Sequence, residues 1–381
     1  MRAGSWMHAA AAPPHQAFTS DPAGVVSDAV RFCPFATGND VLYAKACTSR
    51  RAMPSHDPAT LVWRPDGCAV TGFDARAFVS LLQGRTLVFS GDSLMRQLFL
   101  GTLCALHAAG VVQPATVCAG SAARVGADGM LYYGPSAGAV ATSSSMLAKS
   151  AMGRFGSDAT LAKLRARGCA RNVSRGRADG DGDGGGLLGA EDVVLINAGV
   201  HLPVAQQEAI LHSTVRWLGA QPGRAPPGRQ QGSRASVLYL QTTPSHFPRV
   251  AADGGYDPRV QDGFTRCLGR VSAGGSEAAQ GFLATSRYLS NDDEIIRGAG
   301  LPMLSATPLL AVGAAHIGRH RKADNTTVGD CTHWCSPGPL EAYTLPMLQA
   351  YLARLKPSSS KERGARTRGP SGRIACDAIS M

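Results

Sequence analysis

The chain has 381 residues, of which 44% are hydrophobic and only 17% charged, with 45 glycines and 23 prolines. This composition describes a globular chain with long loops, and it excludes a coiled coil or a wholly disordered polymer. The net charge of +11 is concentrated in two stretches, 165–177 and 356–373. Neither interleaves aromatic residues with its charges, which excludes a nucleic-acid-binding motif and leaves at most a weak attraction to anionic glycans or membrane surfaces.

In chain order, residues 1–30, rich in Ala and Pro, read as a disordered leader. Asp74 is a predicted N-cap for a short helix that presents Phe78, Leu81 and Leu82 on one face and ends at Gly84. The run TLVFS (86–90) is continuously apolar, as in a strand buried on both faces of a parallel sheet. After Ser93, Leu94, Leu98, Phe99, Leu103 and Leu106 recur at helical spacing. DVVLIN (192–197), SVLYLQT (236–242) and LPMLSAT (301–307) are three further strands, and a helix spans 205–220. Strands alternating with helices predict a parallel α/β sheet covered on both faces. Loops are expected at 178–189 and 220–235, and a disordered basic tail over 356–381. DGDGDG (179–184) imitates the start of a calcium loop, but Glu191 falls one residue beyond the position that needs a bidentate carboxylate, so it reads as a polar loop.

Ten cysteines are scattered without any CxxC pair, which argues against zinc ribbons and suits disulfides in an oxidising lumen. Sequons at Asn172 and Asn325 agree with a glycoprotein of the secretory lumen. Against this, the first residues are a poor signal peptide, and no 18-residue apolar span occurs. A missing N-terminus, an isolated lumenal domain and a cytosolic chain with free thiols all stay open on these residues.

Three segments carry reactive side chains at the ends of predicted strands, where ligands bind in such sheets. Ser93, in GDS at a strand-to-helix turn, is either a nucleophile or the helix N-cap. Asp330 and His333, three apart in GDCTHWCSPG, supply a base and its orienting carboxylate from a turn pinned by Cys331 and Cys335. Asn197 and Gly199, in INAGVH, are candidate oxyanion donors beside the Ser93 N–H. His246, in QTTPSHFP, is a candidate substrate contact. Together they favour a serine nucleophile with a His–Asp partner.

These segments resemble the plant trichome-birefringence-like proteins, polysaccharide O-acetyltransferases of the PC-esterase group in the SGNH/GDSL superfamily. DCTHWCSPG matches the family's DCxHWCLPG, and the segment from Trp63 through GDSLMRQ matches its GDS block. VVLINAGVH and LYLQTTPSHF are looser matches, with Gln241 where the family has arginine, a change expected to alter substrate or donor binding. The resemblance runs from Cys33 to Leu355, so residues 31–355 are read as one domain. It implies a three-layer α/β/α fold around a flavodoxin-like parallel sheet, decorated by long loops and disulfides. It also implies a catalytic triad of Ser93, His333 and Asp330, with Arg96 among the substrate-binding residues and Gly134 as a further oxyanion donor. Disulfides Cys267–Cys331 and Cys47–Cys335 follow from the same resemblance. The implied activity is transfer of an acetyl group through an acetyl-serine to a polysaccharide hydroxyl, with an acetyl donor as co-substrate and no metal or bound cofactor. A serine esterase with the same triad is the alternative reading, and a non-catalytic glycan binder is a third. The family is usually held in the Golgi by one N-terminal helix; this sequence shows no such helix, which leaves membrane attachment open.

Overall fold

The computed structural model describes residues 4–9, 16–19, 31–36, 39–51, 57–65, 72–114, 117–118, 122–125, 129–135, 191–200, 204–220, 236–248, 267–268, 287–321, 325–355 and 379–380. The loops expected at 178–189 and 220–235, and Asn172, lie outside these residues. The strands are β1 Gly4–His8, β2 Phe18–Thr19, β3 Arg31–Phe32, β4 Leu61–Pro65, β5 Thr86–Gly91, β6 Val117–Cys118, β7 Ala122–Val125, β8 Gly129–Pro135, β9 Val193–Ile196, β10 Ser236–Leu240, β11 Met303–Leu304, β12 His316–Arg321, β13 Thr327–Trp334 and β14 Ile379–Ser380. The helices are α1 Asn39–Arg51, α2 Ala75–Leu81, α3 Ser93–Ala108, α4 Val204–Ala220 and α5 Pro339–Leu355, with a π-helical turn at Asp292–Arg297.

Eight strands form the main sheet in the order β14-β11-β10-β9-β5-β8-β7-β6. The run from β11 to β8 is parallel, and β14, β7 and β6 join it antiparallel. β5 lies inside the sheet, between β9 and β8, and all six of its residues are buried. This is why TLVFS is apolar throughout rather than alternating. Successive side chains on a strand point to opposite faces. On β10, Leu238 and Leu240 enter a cluster with Phe78 of α2, Leu98 and Phe99 of α3, and Leu345 and Leu348 of α5. Tyr239, between them, enters a second cluster with Ile210 and Leu211 of α4 and Ile296 of the π-helical turn. Helical side chains thus enter both clusters, and the parallel α/β sheet expected from the βα alternation is present.

The predicted elements at 75–81, 86–90, 93–108, 192–197, 205–220 and 236–242 are all present within a residue or two. Asp74 caps α2, accepting from the Arg76 and Ala77 N–H groups, and Gly84 turns the chain at φ +70°. The strand expected at 301–307 shrinks to Met303–Leu304. Beyond it, the Ser305 hydroxyl and Ala306 N–H both donate to the Gln241 side-chain oxygen, and a 3₁₀ turn containing Pro308 takes over.

Both expected disordered ends need correction where they are described. Within the leader, β1 pairs antiparallel with β4, Trp6 packs against Trp63 with ring centres 5.5 Å apart, and the Trp6 indole N–H donates to Pro308 O. Within the tail, β14 pairs with β11. Composition alone misses such segments because their partners are remote in sequence. The segment GDCTHW, expected as a turn, is strand β13, paired with β12 in a hairpin. Helices α1 and α5 were not predicted.

Candidate active site

The site lies at the C-terminal ends of β5 and β9, where the chain leaves the sheet. β5 ends at Gly91, and Asp92 caps α3: its Oδ1 accepts from the Leu94 N–H at 3.0 Å. The N-cap is therefore Asp92 and not Ser93. The second carboxylate oxygen of Asp92 accepts from the Val200 N–H at 3.2 Å, tying the strand-to-helix turn to the loop after β9. Gly199 approaches this carboxylate closely at φ +82°, where a Cβ would lie 2.6 Å from Asp92 Oδ2. Only glycine fits there without strain.

Ser93 is the first residue of α3, so its N–H precedes the first intrahelical bond and lies at the positive end of the helix dipole. Its Oγ lies 2.7 Å from His333 Nε2. His333 Nδ1 lies 2.7 Å from Asp330 Oδ2. A carboxylate only accepts, so Nδ1 carries the proton and Nε2 is the acceptor for the Ser93 hydroxyl. Asp330 Oδ1 accepts in addition from the Thr332 and His333 backbone N–H groups at 3.0 and 2.9 Å. Burial opposes the charged carboxylate, but attraction to His333 and these hydrogen bonds outweigh it and hold Asp330 well below the usual carboxylate range.

Disulfides hold this strand on both sides of the histidine. Cys331 pairs with Cys267 and Cys335 with Cys47, both as the resemblance implies, and Cys33 pairs with Cys104. Among the described residues no cysteine is free.

The remaining predicted residues are placed as follows. Asn197 is buried; its Nδ2 donates to Leu240 O at 3.0 Å, and its Oδ1 accepts from the Gly199 N–H at 2.6 Å. Gly199 N–H is thus spent within its own loop, which corrects its expected role as an oxyanion donor. Asn197 ties the loop after β9 to the end of β10. Gly134 faces Ser90 in register on the adjacent strand β8, at the same end of the sheet. Arg96 is half-buried in the first turn of α3, its N–H donating to Asp92 O.

His246 is fully buried and does not reach the surface, so its expected substrate contact is corrected. Its Nε2 bonds to Leu310 O at 3.1 Å, and its Nδ1 meets His316 Nε2 at 2.7 Å. His316 Nδ1 in turn meets His333 O at 3.0 Å, and Trp334 stacks on the His316 ring. Burial lowers His246 to about 4 and lowers His316 as well. The pair supports the strand behind the site. Gln241, expected to affect binding, is buried as a strut, bonded to Ser305, Ala306 and Leu289.

Three residues at the site were missed. Gln97, one turn beyond Ser93, bonds both backbone groups of Trp334: its Oε1 accepts from Trp334 N–H at 3.2 Å and its Nε2 donates to Trp334 O. It locks the helix that Ser93 begins to the residue after His333. Tyr43 of α1 stacks on His333, with ring centres 5.1 Å apart and planes 25° from parallel. His316 supports the His333 carbonyl. The spacing of Gln97 from Ser93, four residues on a helix, was the one readable signal.

No protein-family model matches the sequence. The chain is similar to plant proteins named as polysaccharide O-acetyltransferases. "Probable xylan O-acetyltransferase 9" of Oryza sativa subsp. japonica is 27% identical over 309 residues, covering 72% of this chain and 64% of that protein. "Probable xylan O-acetyltransferase 11" of the same organism is 25% identical over 321 residues, 74% of this chain and 73% of the relative. A shorter stretch of 57 residues is 35% identical to "xyloglucan O-acetyltransferase 2" of Arabidopsis thaliana, covering 15% of this chain and 14% of that protein. The likeness thus extends through most of the chain, but the match to the first relative spans just under two thirds of that protein. Among the described residues, no helix is long and apolar enough to cross a membrane.

Proposed function

We propose that the chain is a polysaccharide O-acetyltransferase that works through an acetyl-serine, with Ser93, His333 and Asp330 as its triad. One observation carries this reading: the continuous relay from Ser93 Oγ to His333 Nε2 and from His333 Nδ1 to Asp330, both contacts at 2.7 Å, at the mouth of a parallel sheet. The names of the similar plant proteins support polysaccharide O-acetyl transfer at the general level.

His333 Nε2 takes the Ser93 proton as Oγ attacks the acetyl carbonyl of a donor. Asp330 stays ionised and holds the imidazole in the tautomer that can accept that proton. The tetrahedral oxyanion is met by the Ser93 N–H at the start of α3, with the second amide hydrogen of Asn197 and the Gly134 backbone as further donors. As the intermediate collapses, His333 returns the proton to the leaving group and acetyl-serine forms. A sugar hydroxyl then gives its proton to His333 Nε2, attacks the ester, and leaves acetylated as Ser93 regains its proton. The polysaccharide acceptor and the acetyl donor are the only partners the scheme requires. Arg96, one turn into α3, is assigned to substrate binding.

In the same proposal, residues 31–355 form one domain of three-layer SGNH type acting in the Golgi or another secretory compartment, where the three disulfides persist. The test is acetyl transfer from a donor ester to an oligosaccharide, with intact-mass detection of the acetyl-enzyme. Ser93→Ala is expected to lose both transfer and the 42 Da adduct, about the mass of one added acetyl group. Unchanged transfer would overturn the nucleophile. Release of acetate without transfer to any sugar would instead assign the chain as an esterase using the same triad. Glycan binding without turnover in the wild type would assign a binding protein.

A further inference from the structure

Among the described residues, the His333 imidazole is held by the two polar contacts of the triad and by an aromatic contact from outside it. Ser93 and Asp330 hold the ring by its two nitrogens, edge on. The third acts on its face: Tyr43 lies over it, 5.1 Å away between ring centres and 25° from parallel. We propose that Tyr43 is a positioning residue for the base, an aromatic platform that favours the imidazolium formed when His333 takes the Ser93 proton. This rests on the acyl-transfer reading above.

The physical reason is the negative face of the aromatic ring. A cation within about 6 Å of a tyrosine ring centre is attracted to it, while a neutral imidazole gains far less. Charge appears on His333 only as the serine is deprotonated, so the contact strengthens in the transition state, where it lowers the barrier. Both rings are shielded from bulk water, Tyr43 being half-buried and the His333 side chain 13% exposed, which limits screening.

The platform is delivered by an element built for the purpose. Tyr43 and Cys47 are four residues apart on α1, so both face the same way. Cys47 is bonded to Cys335, two residues beyond His333. One covalent link therefore joins the turn of helix after the tyrosine to the strand segment after the histidine. Cys47, Cys335 and Ile317 of β12 form a small buried cluster of their own, with Tyr43 and Ala46 packed on it. Among the described residues α1 docks on this cluster, which makes the staple the natural determinant of where Tyr43 sits.

Removing the ring should lower the basicity of His333. The acid limb of kcat/KM, where the base becomes protonated, should move to lower pH by about half a unit in Tyr43→Leu. Its kcat should fall about three- to tenfold, with KM for the oligosaccharide unchanged. Tyr43→Phe keeps the aromatic face and should restore both the limb and kcat. The Cys47→Ser/Cys335→Ser pair should shift the limb in the same direction, and adding Tyr43→Leu to it should produce no further shift. The His333 titration is also followed directly by NMR of chain labelled at histidine, with circular dichroism confirming that each variant is folded. This readout separates the two levels of argument. A wild type without transfer activity overturns the acyl-transfer reading, yet a lower His333 pKa in Tyr43→Leu still supports the platform. An active wild type whose limb and His333 titration are the same in Tyr43→Leu overturns the platform. A rise in KM alone, with no shift in either, also overturns it and makes Tyr43 a sugar contact. Additive shifts from the ring and the disulfide variants overturn the staple.

Discussion

Gln97 offers a sharp test of how Ser93 and His333 are kept in register. Its side-chain amide makes two hydrogen bonds to the backbone of Trp334, the residue after His333, while its own backbone belongs to the helix that Ser93 begins. Gln97→Met keeps the length and much of the volume of the side chain but removes both bonds. Each is worth about 0.5–1.5 kcal/mol net, and the buried Trp334 groups left without partners add a desolvation cost of about 1–3 kcal/mol. A loss of roughly 2–4 kcal/mol in unfolding free energy is therefore expected, measured by urea denaturation. The kinetic effect should be larger than for a remote lesion of equal cost. The freed strand carries His333, and a misplacement of about 1 Å at a reacting group costs on the order of 10²-fold in rate. Acetyl transfer at saturating donor and acceptor measures it directly. If Gln97→Met unfolds within about 0.5 kcal/mol of wild type, a quarter or less of the expected loss, and transfers within about twofold, the register argument is wrong. Trp334 would then be held by its packing alone.

Asp330→Asn should fold but lose about 10⁴-fold in kcat, because an amide facing His333 Nδ1 favours the tautomer that cannot accept the Ser93 proton; near-wild-type turnover would remove Asp330 from the triad. In wild type, Asp330 is held below its ordinary carboxylate range, so the stability it contributes is complete above the unfolded value near 3.9 and is lost as pH falls below it; Asp330→Asn should lack this loss in acid melts. Gly199→Ala should destabilise the protein by more than 1 kcal/mol, on the order of a forced positive φ plus the clash with Asp92, and a neutral effect in thermal melts would contradict the close approach. Asp292, fully buried against Tyr239, Gln207 and Thr242, is raised to about 7 by burial. Its folded form holds a proton that the unfolded chain has lost, so wild type should lose stability as pH rises from about 4 to about 7, and Asp292→Asn should flatten that slope.

The strands and helices that build the site were legible because their signals are local. TLVFS is apolar throughout because β5 is buried on both faces between two neighbours, and the helix after it shows its 3.6-residue period directly. GDS and DCTHWC stood out as chemical groups at strand ends, and the fold brings Ser93 and His333 together across 240 positions. What the sequence did not show are the contacts whose meaning depends on a partner. Gly199 reads as an oxyanion donor from its place after a strand, yet its N–H is spent on the Asn197 side-chain oxygen. His246 looked like a substrate contact because its segment follows a strand, yet burial and His316 turn it inward. α1 packs, among the described residues, on a small cluster around the Cys47–Cys335 disulfide, a partner 288 positions away that no local pattern shows.

The sequence by itself therefore determined the parallel α/β core, the likeness to plant O-acetyltransferases and the choice of Ser93, His333 and Asp330 as candidates. Periodicity and short motifs are properties of neighbouring residues, and they survive without a structure. Only the tertiary structure decided that Asp92 caps the helix and leaves the Ser93 hydroxyl to His333, that Gln97 sets the register of the two, and that Tyr43 covers the imidazole. Each of these depends on a distance between residues far apart in the chain, which no local pattern encodes.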